Sequence, residues 1–67
     1  MSIAGQVWTF NSFLSNNNYF IIEDRGRVPV FDKYEYSYLL YCLNDAKKID
    51  YLIGEPIQEH GKWRRIA

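Results

Sequence analysis

Asp32-Lys33-Tyr34-Glu35-Tyr36-Ser37-Tyr38-Leu39-Leu40-Tyr41-Cys42-Leu43 is the stretch from which the architecture is read. An Asp in the N-cap position accepts from the first free N–H groups of a helix. Glu35 stands at the reciprocal N3 position, and Phe31 and Tyr36 occupy the two staple positions. At about 100° per residue, Tyr36, Leu39, Leu40 and Leu43 fall on one face at the spacing i, i+3, i+4, i+7. The spacing predicts a helix that begins at Asp32 and lays its leucine stripe on a sheet. Beyond Leu43 the period fails, because Asn44, Asp45, Lys47, Lys48 and Asp50 are polar. The helix is expected to stop between Asn44 and Lys48. Continuation to Gly54 as a C′ glycine, with Pro56 just beyond, is the alternative.

Upstream, Gln6 to Leu14 alternates, with Trp8, Phe10, Ser12 and Leu14 on one side, and reads as a strand. Ser15, Asn16, Asn17 and Asn18 bond their own backbone readily and form a hairpin loop. Tyr19 to Ile22, aromatic or β-branched throughout, makes a second strand. Asp24-Arg25-Gly26 is read as a tight turn leading into a third strand, Arg27 to Phe31. There Pro29, which lacks an N–H, demands an edge or a bulge. Downstream, a short strand at Tyr51 to Ile53 ends at the breakers Gly54 and Pro56. The tail, turning at His60-Gly61, packs Trp63 on the core or forms an edge strand. The expectation is one α+β domain over residues 1–67: a three- to four-stranded antiparallel sheet crossed by one helix, in the order β-β-β-α-β or tail. Its predicted core is Trp8, Phe10, Phe20, Ile22, Val28, Val30, Leu39, Leu40, Leu43 and Trp63.

Composition narrows the function. With 48% apolar residues and eight basic side chains balanced by eight acidic ones, the chain is neither disordered nor electrostatically built for nucleic acid or membrane surfaces. A chain of 67 residues buries only roughly 60% of its unfolded surface, which argues against an enzyme with a deep private cleft. The single cysteine, Cys42, forbids an internal disulfide, and no apolar run approaches the length of a membrane span. A cytoplasmic protein is expected. One Cys and one His far apart offer no metal-ligand spacing, and no phosphate loop or paired-acid motif implies a cofactor. His60 with Glu55 or Glu59, and Cys42 as a nucleophile, are better explained as an exposed turn residue and a small apolar side chain.

Three patches remain as binding candidates. On a helix, Tyr34, Tyr38, Tyr41 and Asp45 would cluster opposite the leucine stripe, and tyrosine supplies rigid contact area at protein interfaces. The competing explanation is that Ile57 and Trp63 of the tail cover those rings. Lys62-Trp63-Arg64-Arg65 combines guanidinium groups with an indole, a pairing suited to phosphate and base, which Arg25, Arg27 and Lys33 extend if the second turn lies beside the tail. Asn16, Asn17 and Asn18 are explained by turn formation alone.

In general type, a small, cysteine-poor, aromatic-rich chain without a catalytic motif is similar to the accessory proteins that phages and mobile elements encode against larger host machines. The reading is therefore a non-catalytic protein-binding module, an inhibitor or adaptor, acting through the tyrosine face. The alternatives are a nucleic-acid contact module built on the basic tail and a homodimeric structural subunit.

Overall fold

Tyr36, Tyr38, Leu40 and Cys42 recur every second residue, and it is this period that the backbone follows. The computed structural model, which describes residues 2–13, 16–59 and 61–67, contains five antiparallel strands and no helix among those residues. They are β1 (Val7–Asn11), β2 (Asn16–Val30), β3 (Lys33–Cys42), β4 (Lys47–Ile53) and β5 (Trp63–Arg65). One sheet holds them all in the order β4-β3-β2-β1-β5. The expected α+β class and its helix at Asp32 are therefore overturned; the chain is all-β.

The physical reason lies in β3 itself. Tyrosine favours strands over helices, and β3 has a partner on both sides: Leu40 faces Ile21 of β2 and Ile49 of β4. From Tyr36 to Cys42, pairing on two edges gives the backbone polar groups the partners that a helix would supply internally. It also buries Tyr38, Leu40 and Cys42 almost completely. The residues that suggested an N-cap serve a hairpin instead. Phe31 and Asp32 make the two-residue turn between β2 and β3, and Lys33 and Glu35 form an ion pair at 3.8 Å.

The turn expected at Asp24-Arg25-Gly26 is a bend within one long strand. The β2–β3 register shifts between Ile21 and Glu23 and again between Asp24 and Gly26, so β2 carries two bulges. Gly26 takes φ +71°, the conformation that a bulge shares with a tight turn. Asp24 braces the site: its carboxylate accepts the N–H of Gly26 and that of Ile3, both at 3.0 Å. Bulges bend and twist a strand. As a result the first part of β2 pairs with both β1 and β3, whereas from Gly26 onward it pairs with β3 alone. Residues 28–35 form a two-stranded ribbon, with Pro29 on the edge that has no partner strand.

The remaining differences follow from these two. Asn16, Asn17 and Asn18 open β2 rather than looping, and Leu14 and Ser15 lie outside the described residues. β4 begins at Lys47, not Tyr51, because it must pair with β3 as far as Cys42. The core comprises Trp8, Ile21, Tyr38, Leu40, Cys42, Ile57 and Trp63. Of the residues expected there, Phe20 and Leu43 are 37% and 50% exposed, Leu39 points to the opposite face of the sheet, and Ile22, Val28 and Val30 are half-buried.

The segment 54–62 carries the chain from β4 at one edge to β5 at the other. On the way it lays Ile57 over the core, and its N–H donates to the Tyr38 hydroxyl at 3.0 Å. No helix is long and apolar enough to cross a membrane.

Candidate functional site

The sheet curls until its two edges meet through side chains. Trp63 of β5 and Tyr51 of β4 belong to strands at opposite ends of the strand order, yet their rings lie 6.2 Å apart. Phe10, opposite Trp63 in the β1–β5 ladder, packs edge-on against the indole at 4.9 Å, and Tyr19 of β2 meets it at 5.8 Å. These four rings enclose a cleft of about 230 Å³, whose remaining wall is Leu40 and Ile49.

Strand alternation explains why they gather. Phe10, Tyr19, Leu40 and Ile49, like Tyr51 and Trp63, project from the concave face, and the ladders place them in adjacent rows. The tail covers this face at Tyr38 but not here. The gap between β4 and β5 stays open as the mouth of the cleft.

The lining carries no formal charge. Its polar features are phenols: the Tyr19 hydroxyl accepts from Asn17 Nδ2 at 3.4 Å, and burial, followed by the nearby Tyr19, pushes the Tyr51 phenol above its ordinary value. Tyr51 therefore stays neutral across the physiological range. Lys47, two positions before Ile49 on the same face of β4, is exposed beside that row of the cleft lining. An uncharged, ring-lined recess with a cation near its margin suits an aromatic or aliphatic group held edge-to-face. It has no nucleophile and base within reach of each other.

The expected tyrosine face is dispersed. On a strand, Tyr34 and Tyr38 share one side while Tyr41 lies on the other, beside Phe20 and Lys48. Tyr38 is 2% exposed and belongs to the core. Tyr34 stands on the ribbon with the Arg27 guanidinium 4.6 Å above its ring. Asp45 sits in the β3–β4 turn, its carboxylate 3.8 Å from the buried Cys42 thiol.

The basic tetrad is split in the same way. Trp63 is buried, and Arg64 and Arg65 alternate across β5. Arg64 donates to the carbonyls of Gly61 and Trp63, and Arg65 to that of Ala67, so both guanidinium groups fold back on their own backbone. Arg25 bonds Asp50 at 3.0 Å and Glu23 at 3.2 Å, which raise its pKa, Asp50 foremost. With Arg27 on Tyr34 and Lys33 on Glu35, none of these cations extends the tail. Asn18 ties β2 to the β3–β4 turn, its N–H donating to Asn44 Oδ1 at 2.7 Å and its carbonyl accepting from Leu43 at 2.9 Å. Glu55 and Glu59 are exposed, and His60 lies outside the described residues.

Sequence reasoning found Trp63 and Phe10 as core residues but missed the cleft that they share with Tyr19 and Tyr51. Its four aromatic residues come one each from β1, β2, β4 and β5, so no single segment signalled it. No family model, curated protein or solved structure matches the chain.

Proposed function

We propose that this chain is a small non-catalytic protein-binding module whose site is the cleft between β4 and β5, receiving an apolar or aromatic side chain of its partner. One observation carries the reading. A solvent-open cleft of about 230 Å³ is walled by four aromatic rings and two aliphatic side chains, with no charged group among them. A cavity of roughly 150 Å³ with apolar walls already admits benzene. The inhibitor or adaptor role expected of such a chain is exerted through this cleft rather than through a tyrosine helix face. A cytoplasmic setting is the reading that suits its free, buried Cys42.

The two indoles provide the test. Trp63 lines the cleft, while Trp8 donates its Nε1–H to Gln6 Oε1 at 2.9 Å and serves as an internal control. Titration with N-acetylphenylalaninamide, followed by NMR, is expected to shift the Trp63 indole signal saturably and leave Trp8 unmoved. N-acetyl-lysinamide is expected to shift neither. Equal responses to both probes, or none, would remove the cleft as a binding site.

A further inference from the structure

The most exposed apolar side chain of the molecule is also held in an unfavourable backbone conformation. Phe31, at the tip of the β2–β3 ribbon, has φ +57° and its side chain is wholly exposed. In a two-residue hairpin that corner is a glycine position, since a Cβ is disfavoured at positive φ. Nothing in the fold rewards a phenylalanine there: its ring touches no core residue, and glycine would make the turn with less strain. Strain retained at an exposed aromatic residue points to a contact made outside the fold.

The molecule carries a receptor for such a ring at its other end. The cleft is lined by Phe10, Tyr19, Leu40, Ile49, Tyr51 and Trp63, near the end of the sheet where β2 begins, whereas Phe31 follows the last residue of β2. From Leu40 back along β3 to Phe31 the strand path is roughly 30 Å at about 3.3 Å per residue, against a longest molecular dimension of 33 Å. The charges match as well. Asp32 shares the ribbon tip with Phe31, and Lys47 lies on the cleft face of β4, two positions before Ile49.

We propose that Phe31 of one copy inserts into the aromatic cleft of a second copy, with Asp32 meeting Lys47, so that copies join head to tail. The proposal rests on the cleft reading above and names its partner. Donor and receptor are different surfaces, so the contact is heterologous and each added copy presents a fresh Phe31 and a fresh cleft.

Sedimentation equilibrium and NMR mixing test it on the full chain. Wild-type protein is expected to rise in average mass as concentration increases. Phe31→Gly keeps the turn and the cleft but lacks the donor, and is expected to remain monomeric. Isotope-labelled Phe31→Gly chain mixed with unlabelled wild type is expected to show the Trp63 indole shift, and mixed with unlabelled Phe31→Gly to show none. Phe13→Ala, which removes the other fully exposed phenylalanine, at the cleft end, is expected to associate as wild type does. Asp32→Lys is expected to weaken association at least tenfold at low salt, and Lys47→Glu to restore it. A wild type that stays monomeric at millimolar concentration would overturn the proposal, as would a Phe31→Gly variant that associates equally. If the phenylalanine amide still moves Trp63 while wild-type chain does not, the cleft stands and only its occupant has been misassigned.

Discussion

The curled body and the ribbon are built from the same two strands yet are held by different forces. In the body, β2 and β3 have strands on both sides, and their concave face buries Ile21, Tyr38 and Leu40 beneath Ile57 of the tail. In the ribbon they have only each other. Val28 faces Glu35, Pro29 faces Tyr34 and Val30 faces Lys33, with Arg27 stacked on Tyr34 and an ion pair at the surface. An exposed ion pair contributes about 0–1 kcal/mol, and an isolated hairpin is marginal in water. Stability is thus concentrated in the body, and the ribbon is a projection anchored to it by the bulges at Ile22 and Arg25.

The largest test of that contrast is Trp63→Ala. Removing a buried indole that touches three other rings costs about 3–5 kcal/mol, comparable to the whole stability of a domain this size. Urea denaturation is expected to find the variant largely unfolded, whereas Tyr34→Ala on the ribbon should move the midpoint far less. Tyr38→Phe comes next. It leaves the buried N–H of Ile57 without its acceptor, at a cost of roughly 1–3 kcal/mol, and should loosen the tail before the sheet. Amide exchange at Ile57 would report it, and unchanged protection there would show that the tail is held by something else.

Alkaline pH acts on the body through two buried phenols. Burial raises the phenol pKa of both Tyr38 and Tyr51, so the fold favours their neutral forms. Their contribution is fully present below the ordinary tyrosine value of about 10 and is lost as pH rises through the raised values. Stability should be flat with respect to these groups through neutral pH and fall above about pH 10. A Tyr38→Phe, Tyr51→Phe double variant should fall less steeply. The smallest effect belongs to the ribbon and has the opposite sign. Phe31→Gly relieves the left-handed backbone while giving back part of the gain as unfolded-state entropy, for a net stabilisation on the order of 0.5–1 kcal/mol. At a concentration where both chains are monomeric, a lower melting temperature in that variant would mean that Phe31 packs on its own chain.

These regions also differ in how legibly the sequence encodes them. Tyr36 and Leu40 are four residues apart, a spacing that keeps two side chains together on a helix and on a strand alike. The discriminating positions are Leu39 and Leu43, which only a helix would bury with them, and Tyr38 and Cys42, which only a strand would. The structure buries the second pair, and the tyrosine content of the segment was the local evidence for it. Asp32 and Glu35 misled for a similar reason, since a polar residue at a helix N-cap is chemically the same as one in a hairpin turn. At Gly26 the requirement for positive φ was read correctly, but a bulge and a turn share it.

Local alternation sufficed for β1 and for Trp8 and Phe10, and the missing N–H of Pro29 for its edge position. The cleft was illegible because it depends on β5 returning to β1 from the far end of the chain and on β4 curling round to meet it. Neither pairing leaves a trace in the period of a single segment. Only the placement of Phe10, Tyr19, Tyr51 and Trp63 on one concave face turns four scattered aromatic residues into a site.

The most direct test of this architecture is a nuclear Overhauser contact between the rings of Trp63 and Tyr51 in the monomeric Phe31→Gly chain. The curled all-strand sheet requires the contact, because the ring centroids of these edge-strand residues lie 6.2 Å apart. Its observation, together with cross-strand contacts from Leu40 to Ile21 and Ile49, is the expected result. Absence of the ring contact, with helical i to i+3 contacts running from Tyr36 to Leu43 instead, would contradict both the sheet and the cleft built on it.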